Sequence, residues 1–222
     1  MNKFEKVKND EEIIRIYEKV SEVEDLNKGW AHHDYNHVCN VAGLVEKLLT
    51  ELNYEKEFIE EAKIAAILHD IGCLEGKEGH PFRSFEFAKE YLRKNNLNLK
   101  YEDLVLEAIR IHSEGFDTDN IIALTLIMSD KLDIKYTRVA KEGYHIPGNR
   151  QFQYIKEILI DIHNHILEIN FICDDKIDKL ELEEFYFTKK VFKAIKAFSA
   201  KMGVIPEVLF NSEKWNEFYC FS

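Results

Sequence analysis

The stretch ILHDIG, Ile67 to Gly72, decides how the chain is read. His69 and Asp70 stand side by side among isoleucines and a leucine, and a glycine follows. A charged aspartate is almost never fully buried unless it is paired or holds a metal. The residues before it carry an apolar stripe at helical spacing, Phe58, Ala62, Ala65 and Ala66. A helix from near Tyr54 is therefore expected, with Gly72 as its C-terminal stop. Neighbours on a helix point about 100° apart. His69 and Asp70 could thus act on one point only where that helix ends or distorts.

The flanking sequence has the same helical character. From Val38 the apolar positions run Val38, Val41, Ala42, Val45, Leu48, Leu49 and Leu52, one face of a helix with Asp34 or Asn36 as its N-cap. GHPFRSFEFAKEYLRK is expected to be a helix with Pro81 at its first position. YEDLVLEAIRIHS is another, and DNIIALTLIMSDKLDIKYT is a buried one, apolar nearly all round. After about Lys135 the sequence changes. KEGYHIPGNR is expected to be a loop and QFQYIKEILIDIHNHIL a helix. EINFICDDKIDKLELEEF alternates on both sides of DDK and is expected to form a short β-hairpin. TKKVFKAIKAFSAKMG is a closing helix that ends at Gly203. No internal repeat or linker breaks the chain. One mainly α domain over 1–222 is expected, with C-terminal helices and the hairpin over about 150–222.

Several polar residues fall on the apolar faces. His37 lies four residues before Val41, His69 four after Ala65, His112 four after Ala108, and Asp130 three after Ile127. His80 stands at the mouth of the helix whose inner face is Ser84, Ala88 and Leu92. A lone inward histidine is usually a hydrogen-bonded core residue. Two inward aspartates need cations, because an unpaired buried carboxylate costs several kcal/mol. These helices supply few inward Lys or Arg. A divalent metal answers the need at every position at once, since neutral imidazole and carboxylate are its ordinary ligands. His145, His163 and His165 are expected at the surface or in structural roles. His32 and His33 are expected at the cavity rim.

HDYNHV, then ILHDIG, then SDKLD resembles the HD-domain superfamily of metal-dependent phosphohydrolases over roughly residues 30 to 140. The resemblance implies an HD-type helical bundle in which His37, His69, Asp70 and Asp130 hold a metal. His80 and His112 sit where members with a binuclear site add two histidines. It therefore implies two divalent ions (Mn, Fe, Ni, Co or Mg), with Asp70 as the bridge. His37, His69 and Asp130 would hold one ion, and His80 with His112 the other. Lys131 resembles a lysine that many members carry beside the last aspartate, and it is expected to contact a phosphate. Arg83 and Arg138 are further candidates for that contact. His33 and Asp34 are candidates for the proton donor. There is no GYP motif as in cyclic-dinucleotide phosphodiesterases. Cys73 and Leu74 replace the Glu-Asp pair of alarmone hydrolases, and Asn40 stands where many members have arginine.

The function so implied is hydrolysis of a phosphate ester or anhydride of a small molecule, a nucleotide above all, by metal-activated water. Asp70 and Lys131 are its candidate catalytic residues. Two other readings use the same residues: a diiron oxygenase that cleaves C–C or C–P bonds, and a non-catalytic nucleotide-binding module. The net charge of −11 argues against a long nucleic-acid groove. No apolar run approaches the roughly 20 residues of a membrane span. MNKFEKVKNDEE has no apolar signal region, and the four widely spaced cysteines include no C-x-x-C pair, so a reduced, cytoplasmic protein is expected. The segment after about residue 150 is expected either over the site or at a homodimer contact.

Overall fold

The computed structural model describes residues 2–215. Cys220 lies outside them. No disulfide joins the described cysteines, Cys39, Cys73 and Cys173. The fold is mainly helical, with a small four-stranded sheet late in the chain. None of the described helices is long and apolar enough to cross a membrane. The chain divides into two units. One comprises the residues up to Asn27 together with His32–Asp130. The other comprises Lys28–Ala31 and the described residues from Lys131 onward.

The first unit is helical. Two helices precede the expected set, α1 (Lys3–Lys8) and α2 (Glu11–Leu26). Ile13, Tyr17 and Val20 give α2 a buried stripe at helical spacing. Next comes α3 (Tyr35–Glu51), and Asp34 is its N-cap: the carboxylate accepts from the His37 N–H at 2.8 Å. That satisfies one of the four amides that a helix N-terminus leaves open. α4 (Lys56–Leu68) is buried over most of its surface. It carries a wholly buried carboxylate, Glu61, which accepts from Lys3 Nζ at 3.1 Å, Lys100 N at 2.8 Å and Tyr101 N at 2.7 Å. A 3-10 turn (Ile71–Glu75) leads to α5 (His80–Lys94), then α6 (Glu102–Ile111) and α7 (Ile121–Leu132). α7 carries Asp130, the last residue of this unit, and its two final residues belong to the second.

In the second unit the expected helix over 151–167 is not found. Its first residues form a 3-10 turn (Asn149–Tyr154), and the rest forms β1 (Ile155–His163) and the start of β2 (Ile166–Cys173). Ile155, Ile158, Leu159 and Ile162 fit the helical period, but Ile158, Ile160 and Ile162 equally fit alternation. The β-branched enrichment favours strands. Asn164 and His165 turn the hairpin at φ 49° and 62°, the doubly positive pair of a type I′ turn. So the hairpin exists, but it lies earlier than expected, and KLELEEF is not its second strand. Those residues form α8 (Lys179–Glu184), with the Asp178 carboxylate capping Glu181 N at 3.0 Å. α9 (Tyr186–Met202) ends as expected at Gly203, in the left-handed conformation at φ 65°. β3 (Ile205–Phe210) pairs parallel to β2, and β4 (Glu213–Lys214) closes the order β1-β2-β3-β4. Trp215 meets Phe171, Phe192 and Phe210 edge-on, with ring centroids 4.9, 5.4 and 5.1 Å away.

Candidate metal centre

The end of α4 creates the site. His69 still has helical angles, φ −65° and ψ −32°, but Asp70 leaves them for φ −106° and ψ 4°. The break lets two adjacent side chains converge, as the sequence requires. Gly72 is needed for a different reason from the one expected. A Cβ on it would lie 2.5 Å from His80 O and 2.7 Å from Ser84 N. The glycine thus admits the start of α5, and with it His80, against the turn after Asp70. Ser84 Oγ accepts from the Gly72 N–H at 2.9 Å in the same contact.

The six inward histidines and aspartates come together in two groups. His37, His69, Asp70 and Asp130 each offer one ligand atom, all within 4.8 Å of one another. Asp70, His80 and His112 do the same. Among the described residues, Asp70 alone belongs to both groups. Its Oδ2 lies 3.4 Å from His37 Nε2 and 3.1 Å from His69 Nε2. Its Oδ1 lies 3.2 Å from His80 Nε2 and 3.3 Å from His112 Nε2. Asp130 Oδ1 is 3.2 Å from His37 Nε2 and 3.9 Å from His69 Nε2.

These residues fit a metal ion. Three of the rings are fixed through Nδ1, which donates to the carbonyl three residues earlier: His69 to Ala66 at 2.8 Å, His80 to Lys77 at 2.6 Å, His112 to Ile109 at 2.7 Å. Such outer bonds turn Nε2 inward, where it offers a lone pair once the ring is neutral. The Nε2 atoms of His80 and His112 then face each other at 2.9 Å, a separation at which both can ligate one ion. His69 Nε2 and Asp70 Oδ2 are buried, and neither makes a hydrogen bond of normal geometry. Ligand atoms about 2.1 Å from one ion lie about 3.0–3.4 Å apart in octahedral or tetrahedral arrangement. All but one of these separations fall close to that range. The nitrogen and oxygen donors suit Mn, Fe, Co, Ni or Zn alike.

Burial opposes charge on His69, but Asp70 and Asp130 outweigh it and raise its pKa to about 9. Burial also opposes the charge of Asp70, yet His69 and then His33 hold its carboxyl well below the usual range. Burial pushes His112 down to about 4 against the pull of Asp70. At neutral pH His112 thus presents its lone pair, whereas His69 carries a proton that a metal must displace. Metal uptake by the group of His37, His69, Asp70 and Asp130 at pH 7 is expected to release the His69 proton, and affinity there should climb with pH until it levels near 9. Isothermal titration in two buffers of different ionisation enthalpy measures that proton; metal uptake without proton release would refute a charged His69.

The remaining candidates are placed as follows. Arg83 is half-buried and clamps the loop before its own helix: Nε donates to Gly72 O at 3.0 Å, Nη1 to Glu78 O at 2.8 Å and Nη2 to Gly76 O. Lys131 is buried on α7, with Nζ 6.0 Å from the Phe187 ring centroid. Arg138 is buried, and its Nε donates to Asp133 O at 3.2 Å. Asp34 caps α3. His145, His163 and His165 are exposed. His33 is buried, not at a rim; Glu24 on α2 pairs with its ring Nδ1 and accepts from its backbone N–H at 2.8 Å. Its ring meets His37 edge-on, centroids 6.0 Å apart. Glu24 went unnoticed in the sequence, where an acid nine residues upstream carries no signal of that pairing. No curated protein matches the chain. The family model of the HD domain matches residues 34–141, the stretch that supplies all six residues that could hold a metal. That segment therefore belongs to the HD-domain family, within a superfamily of metal-dependent hydrolases that bind divalent ions.

Proposed function

We propose that the protein is a phosphohydrolase that holds two divalent ions and hydrolyses a phosphate ester or anhydride of a small molecule, a nucleotide being the foremost class. The observation that carries this reading is the division of the Asp70 carboxylate, one oxygen facing His37 and His69 and the other facing His80 and His112. A carboxylate so placed can bridge two ions. Divalent ions there supply a lowered pKa for water and positive charge opposite a phosphoryl group. The chain supplies the rest. His69, His80 and His112 are held rigidly by backbone carbonyls, which keeps the donor atoms preorganised. Lys131 is assigned to a phosphate oxygen on its place in the chain, one residue after Asp130. Arg83 is left out, because carbonyls already engage its guanidinium.

The test is a panel of nucleotides and sugar phosphates, each with Mn, Fe, Co, Ni and Mg, followed by phosphate release and by oxygen uptake. Metal-dependent phosphate release from at least one nucleotide is expected, at least about 10³-fold above the metal-free protein, since metal stabilisation of the transition state is worth several kcal/mol. Oxygen uptake by the iron-loaded protein without phosphate release would replace this reading with the oxygenase. Binding without turnover of any substrate would replace it with a nucleotide-binding module.

A further inference from the structure

We infer that Tyr17 is a positioning residue of the metal centre, which holds open the helix break that lets His69 and Asp70 converge. The inference rests on the metal reading but not on the number of ions. Tyr17 lies on α2 and is fully buried. Its hydroxyl donates to the Ile67 carbonyl at 2.5 Å. Ile67 is among the last four residues of α4, whose carbonyls have no partner within a helix that stops at Leu68.

Two of those carbonyls are satisfied from the site itself. Ala66 O receives the His69 ring, and Ile67 O receives Tyr17. A buried carbonyl left open costs more than most hydrogen bonds gain, so something must take its place. The nearest substitute for the Ile67 carbonyl is the amide four residues on, that of Ile71. Accepting that amide would carry the helix through Asp70. His69 and Asp70 would then point about 100° apart, and the carboxylate would leave one of the two groups it faces. By occupying Ile67 O, the tyrosine hydroxyl removes the reward for continuing the helix. The ring has a separate task, packing 6.3 Å from the Tyr35 ring at the start of α3. A phenylalanine would keep that packing and lose only the hydroxyl.

The variant is therefore Tyr17→Phe. Cobalt(II) is titrated into metal-free wild type and variant, with affinity and the d–d absorption spectrum as readouts. Ile13→Val, four residues earlier on the buried stripe of α2, is the control for loss of packing without a change at the break. Tyr17→Phe is expected to bind Co(II) about 10- to 100-fold more weakly, the usual effect of losing an outer partner of a metal ligand, and with an altered spectrum. Hydrogen exchange at the Ile71 amide should slow as that amide finds Ile67 O. Ile13→Val is expected to keep wild-type affinity within about twofold, together with the wild-type spectrum. Tyr17→Phe with wild-type affinity and spectrum would overturn the inference, as would equal losses in both variants. A wild type that takes up no Co(II) would overturn the metal reading itself, an outcome distinct from either of these.

Discussion

Asp70→Asn is expected to leave the protein almost without bound metal and to lower turnover by at least about 10³-fold. No other described residue belongs to both groups of ligand atoms, so the substitution touches both at once. The amide is nearly the same size, which keeps the packing, but it lacks the negative charge. It also turns one oxygen into an NH₂ that cannot ligate. Whichever way the amide is turned, one histidine set faces a donor group instead of an acceptor. His69 loses its principal counter-charge as well, so its pKa falls back from about 9. The contrast with single histidine changes is diagnostic. His112→Ala should weaken the group that faces Oδ1 and leave His37, His69 and Asp130 in place. Metal content by mass spectrometry, on protein loaded and then dialysed, separates the cases. Full metal retention by Asp70→Asn would refute the site.

Most of this centre could be read from the sequence because its parts are local. The stripe from Val38 to Leu52 places His37 on an inward face, and Asp34 at the N-cap fixes where α3 begins. The demand for a helix end at Asp70 followed from the angle between neighbouring residues, and the backbone meets it. What could not be read is what depends on contacts distant in sequence. Glu24 and His33 pair across a helix and a loop, and no spacing rule joins them. Glu61 is a buried carboxylate with three partners drawn from α1 and the residues just before α6, and in the sequence it looks like one more surface acid beside Glu57 and Glu60. Arg83 looks like a phosphate contact in sequence because a cation beside a metal-facing histidine suggests one. Its actual partners are carbonyls of the turn, which no pattern of side chains records. The misread hairpin has another cause. Isoleucines at 155, 158, 160 and 162 satisfy both periods, and only tertiary pairing settles which is used. α8 did leave a local signal in Asp178 and Glu181, whose spacing is that of a capping box.

Gly72→Ala tests whether the second ligand group depends on close backbone packing. The added methyl would lie 2.5 Å from His80 O, 2.7 Å from Ser84 N and 2.9 Å from Arg83 Cβ. None of these is the far end of a flexible side chain. Two are backbone atoms at the start of α5 and the third is a Cβ, so relief requires that the first turn of the helix move away. Overpacking of this kind costs about 1–3 kcal/mol, which lowers Tm by several degrees in a chain of this size. The movement also has a direction. It carries His80 off Asp70 Oδ1, breaks the Ser84 bond to Gly72 N–H and loosens the Arg83 clamp. A misplacement of about 1 Å in a preorganised site can cost about 10²-fold. The second equivalent of metal should therefore bind about 10²-fold more weakly, while the group of His37, His69 and Asp130 keeps its own. Thermal melts and metal titration on the same preparation read both effects. If two equivalents bind as in wild type while stability falls, the glycine serves the fold alone and His80 is held by other means. If stability and binding are both unchanged, the close approach at Gly72 does not constrain the site. Selective loss of the second equivalent, with the first retained, would show that the packing of one glycine against α5 sets how many ions the site holds.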